Sequence, residues 1–330
     1  MNKNITIEDI AEELNVSKTT VSRAISGKGR ISKATREKVL NYIKESGYHP
    51  NIIAKGLAES KTFNICVVLP GDFNLTDLPF FQTVQIGICE YLSEHGYDVI
   101  LTGISSNLSN LNRIISNKKV DGVILTMVVN NDPAIAFLKS QSVPFVAIGS
   151  YPDEDIYQID ANHYGGSYDL TSILLMKGMR KIALLGGNTE HIVTEIRRRG
   201  FMDAHQDKEV VFNGELYFRS VLDEEKVKIA VEVCLEKKAD CIICMDDNIC
   251  GIVLRELARQ NIAVPQSIKV ASLFGSTLFY GRSPGISCLE FDTRELGTLA
   301  AKMMLDVLGG AVQVKRNTLA YEVVLKESTN

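Results

Sequence analysis

What this chain lacks narrows its function before any motif is considered. No apolar run approaches the length of a bilayer span, so no transmembrane segment is expected. The first residues are polar and lead directly into a helical pattern. No signal peptide is therefore expected, and the protein is placed in the cytoplasm. No GxGxxG follows the first strand pattern, no phosphate loop of the GxxxxGKS/T type occurs, and Gly186-Gly187-Asn188-Thr189 is too short a glycine signal for a nucleotide site. The five histidines fall in no local catalytic motif such as GxSxG, so the chain is not expected to be an enzyme. Its seven cysteines are an odd number and mostly sit in apolar runs, which argues against a disulfide framework. Cys241 and Cys244 have CxxC spacing but lie in a buried-strand pattern with no second ligand pair, so core packing is expected rather than metal or redox chemistry. The pair Asp246-Asp247 follows that strand without nearby acidic partners, which favours ligand binding or helix capping over a metal. No cofactor is expected.

What is present begins at residue 6. Thr6 with Asp9 three residues on has the form of a capping box, and Ile7, Ile10, Ala11 and Leu14 then recur along one helical face. The pattern breaks at 15–17. Ser17 is placed to cap a second helix that turns Val21, Ala24 and Ile25 inward and Lys18, Thr19, Ser22 and Arg23 outward. Two short helices joined by a tight turn, with hydroxyl, Lys and Arg side chains along the exposed second helix, describe a DNA-reading helix-turn-helix. Arg supplies the bidentate contact to guanine that is the commonest specific pairing in the major groove. Ser32 opens a third helix through Val39, Leu40 and Ile43, closed by Ser46-Gly47 with Pro50 beyond. Asn51 then caps a helix of about nine residues with Gly56 near its middle. So short a helix is marginal in water, and an interior Gly costs roughly another 1 kcal/mol relative to Ala, so it forms only when something else holds it.

Charge divides the chain in the same place. Residues 1–60 carry ten Lys/Arg against seven Asp/Glu, a surplus of three positive charges, so the remainder carries minus seven of the total of -4. The basic end meets the polyanion, and the acidic bulk resists non-specific attachment to DNA. Past residue 62 the rhythm becomes short apolar strands alternating with amphipathic helices. Strands are expected at 64–69, 97–101, 122–125 and 145–148, then at 181–185, 241–245, 268–273 and 316–325. Two doubly wound α/β units in tandem make a clamp with a cleft between them.

The opening helices, Gly47-Tyr48-His49-Pro50-Asn51 and Ala54-Lys55-Gly56-Leu57-Ala58 together resemble the LacI family of bacterial transcription regulators, over essentially the full length. The resemblance implies a small all-α helix-turn-helix head (1–50), joined by a hinge helix and linker (51–62) to an α/β core (63–330). That core is periplasmic-binding-protein-like, with two doubly wound parallel-sheet lobes. Lobe 1 would take about 63–160 plus 292–318, and lobe 2 about 161–291 plus 319–330. It further implies a homodimer bound to double-stranded operator DNA, most often as a repressor. Its DNA-contacting residues would be Thr6, Lys18, Thr19, Ser22 and Arg23 from the head and Asn51, Ala54 and Leu57 from the hinge. Leu57 is the implied lever, an apolar wedge of the kind that unstacks base steps in the minor groove.

For the cleft, the resemblance implies a small-molecule effector, sugar-like on family habit, near Phe80, Thr126, Arg197, Asp246 and Asn248. Arg198 or Arg199 would assist if that ligand were phosphorylated, and Phe218 is a further aromatic candidate. Two positions depart from the family's habit. Gly149 and Phe274 stand where acidic residues often accept sugar hydroxyls, so the cleft is expected to be less polar than usual. The rival readings are a solute-binding clamp without a gene-regulatory role and a sugar-modifying enzyme with a regulatory head.

Overall fold

The computed structural model describes residues 5–27, 29–48, 56–57, 59–71, 79–104, 107–311 and 314–330. Two compact units result, Met1–Thr62 and Phe63–Asn330.

In the first unit, α1 (Ile7–Glu13) starts at the capping box, with the Thr6 hydroxyl accepting from the Asp9 N–H at 3.2 Å and the Asp9 carboxylate accepting from the Thr6 N–H at 2.8 Å. Asn15 takes a positive φ of 52° in the turn, and Ser17 caps α2 (Lys18–Ser26) through the Thr20 N–H. Ser32 caps α3 (Lys33–Ser46), which ends at Gly47 in the left-handed conformation. Ile10, Ala11, Leu14, Val21, Ala24 and Val39 form a core of six buried side chains. Burying a few such residues yields on the order of 1.5–3 kcal/mol each, enough only for a minimal domain. Leu40 of α3 is exposed, and the stripe that meets α1 and α2 is carried by Val39, Tyr42 and Ile43.

The second unit holds two six-stranded sheets. One is ordered β11-β5-β4-β3-β1-β2 and is parallel throughout. Its strands are β1 (Asn64–Pro70), β2 (Asp98–Ile104), β3 (Gly122–Leu125), β4 (Phe145–Ile148), β5 (Tyr157–Ala161) and β11 (Arg316–Leu319). Helices α4 (Pro79–Glu94), α5 (Ser109–Ser116), α6 (Pro133–Ser140) and α11 (Thr293–Gly309) belong to this lobe. The other sheet is ordered β12-β10-β9-β8-β6-β7, parallel except that β12 runs against β10. It contains β6 (Ile182–Leu185), β7 (Tyr217–Phe218), β8 (Cys241–Cys244), β9 (Lys269–Ser272), β10 (Ser287–Glu290) and β12 (Glu322–Val324). Its helices are α7 (His163–Met176), α8 (Ile192–Asp207), α9 (Glu224–Glu236) and α10 (Asp247–Arg259).

The stretch 316–325, expected as one strand, is therefore two strands in different sheets, separated at Ala320-Tyr321. The chain crosses between lobes three times, at 161–163, 290–293 and 319–322, each at the end of a strand. Glycine allows the closest helix contact in lobe 1. A Cβ on Gly87 or Gly297 would lie 2.1 Å from the carbonyl oxygen of Arg294 or Val84 respectively, so α4 and α11 meet backbone to backbone. Cys241 and Cys244 are buried in β8, where desolvation pushes both thiols far above their ordinary range. Among the described residues, no helix is long and apolar enough to cross a membrane.

Candidate functional site

The head offers its surface by simple geometry. With Val21 and Ala24 buried, Lys18, Thr19, Ser22 and Arg23 all lie exposed on the opposite face of α2. Lys18 pairs with Glu8 of α1 at the N-terminal end of this face. Gly29, at a φ of +87°, passes so close to Arg23 that a Cβ there would sit 3.0 Å from the Arg23 Cδ. Leu57 is helical and 85% exposed, an apolar side chain with no cover of its own. Asn51 and Ala54 lie outside the described residues.

The second site is a cavity of about 140 Å³ between the lobes. It opens where the parallel strands end, as ligand sites in such sheets do. Phe80 and Phe81 at the start of α4 line it, with Thr126 after β3, Gly149 and Ser150 after β4 and Asp160 of β5 from the first lobe. His163, His191 and Arg197 join Asp246, Asp247 and Phe274 from the second. Arg197, 6% exposed, anchors the floor. One terminal nitrogen donates to the Met245 carbonyl at 2.7 Å and the other lies 3.2 Å from His163 Nδ1, while Nε is buried without a partner. Burial brings this guanidinium down to about 10, still charged at neutral pH.

The aromatic wall runs continuously from one lobe to the other. Phe80 meets Phe274 edge-on at 5.9 Å, Phe274 stacks on Phe291 at 6.0 Å, and the Arg197 guanidinium lies 5.9 Å from the Phe274 ring centre. At the mouth, Val129 and His191 form an antiparallel bridge, and the Asn130 N–H donates to the Glu190 carbonyl at 3.0 Å. The lobes thus touch on both sides of the cavity.

Three carboxylates belong to this cavity. Asp246 caps α10 through the Ile249 N–H at 2.8 Å, and its burial, with Asp247 beside it, raises it to about 6. Burial likewise raises Asp247, opposed by hydrogen bonds from the Ser276 hydroxyl and the Asn248 N–H. Burial opposes ionisation of Asp160 too. His163, the Ser150 hydroxyl at 2.8 Å and the Ala161 N–H at 2.8 Å outweigh it and hold the carboxyl low. Both His163 and His191 are pushed down by burial and are neutral at pH 7.

Of the residues named from sequence, the structure brings Phe80, Thr126, Arg197, Asp246 and Phe274 together around the cavity. Thr126 already donates its hydroxyl to the Val68 carbonyl at 2.8 Å. Asn248 is exposed and Phe218 pairs by backbone on the edge strand β7; neither lines the cavity. Arg198 is held by Glu195 and Arg199 lies over the Tyr164 ring, both away from the lining.

Carboxylates reach the cleft from positions other than the two that depart from the family's habit. Gly149 has a φ of +122°, and a Cβ there would fall 2.6 Å from Val128 Cγ2, so no acidic side chain fits; the neighbouring strand supplies Asp160 instead. Asp247, expected with Asp246 as a ligand-binding or capping residue, lines the cavity, whereas Asp160, His163 and His191 were not expected there; Asp160 lies on a strand too polar for its pattern to announce it.

Comparison with known proteins fixes the family. A family model of bacterial regulatory proteins of the lacI family matches residues 6–51, and a periplasmic binding protein-like domain matches 171–329. The regulator MalR of Streptococcus pneumoniae is 31% identical over 98% of this chain and 99% of its own. The chain belongs to the LacI family. It is a DNA-binding transcriptional regulator, and the solute-binding clamp is set aside because the DNA-reading head is matched as well as the core. Members further off include the repressor PurR of Aliivibrio fischeri, 26% identical over 91% of each chain. A solved CelR–cellobiose complex is 25% identical with a TM-score of 0.75, covering 98% of this chain and 99% of its own. The Lac repressor dimer bound to operator and an anti-inducer has the same fold, at a TM-score of 0.81 and 21% identity over 99% of each chain. The curated relatives are transcriptional regulators, not enzymes.

Proposed function

We propose that this regulator is a homodimeric repressor whose operator affinity is set by a sugar-like effector bound between the lobes. The proposed division is a head at 1–50, a hinge at 51–62 and an effector-binding, dimerising core at 63–330. Arg23 and its exposed neighbours on α2 would read bases, and Leu57 would wedge into the minor groove once the hinge is ordered. The observation that carries the effector reading is the cavity itself, where an aromatic wall of Phe80 and Phe274 faces buried hydrogen-bonding groups on Arg197, Asp246 and Asp160. Aromatic faces suit the apolar faces of a sugar ring, and buried charged groups suit its hydroxyls. The cellobiose bound by the related CelR supports that choice.

Control follows from the three lobe crossings. An effector that prefers one lobe arrangement shifts the population toward it, and reversing an equilibrium from mostly on to mostly off needs about 5.5 kcal/mol of differential binding, divisible between two sites in a dimer. Selection of bound fragments from random duplex DNA tests the reading. A near-palindromic consensus, with affinity that falls steeply with salt and changes on adding a sugar, is the expected result. Binding without sequence preference, or an operator affinity indifferent to every sugar tried, refutes it.

A further inference from the structure

The charge inventory of the cleft goes further than the class of its ligand. We propose that the cleft selects against anionic effectors, taking an uncharged, hydroxyl-rich ligand and rejecting its phosphorylated or carboxylated counterparts, with Asp246 and Asp247 as the selecting residues; this rests on the reading of the cleft as the effector site. Among the described lining residues three carboxylates, Asp160, Asp246 and Asp247, face one cation, Arg197. His163 and His191 bring no compensating charge, since burial keeps both neutral.

Arg197 is also poorly placed for an anion. Phosphate and carboxylate are held best by a two-pronged guanidinium fork. Here one N–H of each terminal nitrogen is already committed, to the Met245 carbonyl and to His163, so the fork is not free to close on a second pair of oxygens without giving up these partners. The other basic side chains of this helix point elsewhere, Arg198 to Glu195 and Arg199 to Tyr164. A helix N-terminus would ordinarily favour an anion, but that of α10 is already occupied by its own acids, Asp246 as cap and Asp247 in the first turn. Asp247 is 2% exposed and lines the cavity, its carboxyl partnered by the Asn248 N–H and the Ser276 hydroxyl. An ionised carboxylate only accepts, so whatever satisfies it has to donate; a hydroxyl does so and a phosphate dianion does not.

The test uses the full-length protein at pH 7.5. Glucose, maltose and cellobiose are each titrated calorimetrically beside their 6-phosphates, with glucuronate as the carboxylated probe. Repulsion between like charges a few ångströms apart in a half-buried site predicts that the phosphorylated form of any sugar that binds is weaker by at least about tenfold. Asp247→Asn should narrow that ratio while changing affinity for the neutral sugar less. Asp246→Asn, which keeps a capping side chain, provides a second variant should the first fail to fold. A phosphorylated or carboxylated probe that binds as tightly as its neutral counterpart overturns the selectivity and leaves the sugar site standing. Failure of every probe to bind overturns the sugar site and the selectivity with it.

Discussion

Asp246 gives the sharpest quantitative expectation. Its carboxyl is raised from 3.8 to about 6, chiefly because its surroundings desolvate it and secondarily because Asp247 is adjacent. A raised carboxyl pKa means that the fold prefers the protonated form. Below the unfolded value near 4 both folded and unfolded chains hold the proton, and the group contributes nothing. As pH rises from about 4 to about 6 the unfolded chain releases its proton first and stability falls, and above 6 the full penalty applies. About two pKa units at 1.36 kcal/mol each set that penalty at no more than about 3 kcal/mol. Asp246→Asn retains a side-chain oxygen able to cap α10, so it should be nearly neutral at pH 4 and stabilising by up to about 3 kcal/mol at pH 8. Denaturant unfolding of both proteins across this range, followed on the transition of the core, reads the difference directly. A difference that does not vary with pH, or that favours wild type more strongly as pH rises, would refute the argument.

Three further expectations follow from the geometry. Arg23→Ala should lose about 1–3 kcal/mol on the preferred operator and little on random DNA, whereas Leu57→Ala should reduce operator bending; gel-shift titration and a bending assay separate the two. Gly297→Ala should destabilise the core by about 1–3 kcal/mol in a denaturant titration, because its new Cβ meets the Val84 carbonyl where α4 and α11 touch. Cys89 is exposed while the other six cysteines are buried, so a thiol reagent counted by mass should add one label to the native protein and seven after unfolding.

The head was legible because its signals are local. Thr6, Ser17 and Ser32 each cap the helix that their sequence announces, and Val21 and Ala24 bury as periodicity requires. Strands buried among apolar neighbours, such as 122–125 and 145–148, announce themselves in the sequence, whereas the short strand at Ser287–Glu290 does not. β5 escaped because its burial is polar. Gln158 is 3% exposed yet fully engaged, accepting from the Tyr151 N–H at 2.7 Å and donating to the Asp153 carbonyl at 3.0 Å. A hydrogen-bonded Gln is compatible with a core, but no apolar count detects it. The same blind spot hid Asp160, the next-to-last residue of that strand, and His163, which opens the next helix. Arg197 and Asp246 were named from family resemblance, since one chain's periodicity does not say which of three consecutive arginines turns inward.

The contact between α4 and α11 also orders events at the ribosome. Some two hundred residues separate Glu94 from Thr293. At roughly 5–20 residues per second, α4 therefore waits about 10–40 s for the helix that covers it, while the rest of the first lobe up to β5 and most of the second are being synthesised. The first lobe begins before the second yet is not closed until β10 of the second has been made, with Val84, Ile88 and Leu92 uncovered in the interval. A nascent chain stalled anywhere before residue 293 would carry an unfinished apolar face, which makes the first lobe the natural place for a chaperone to bind.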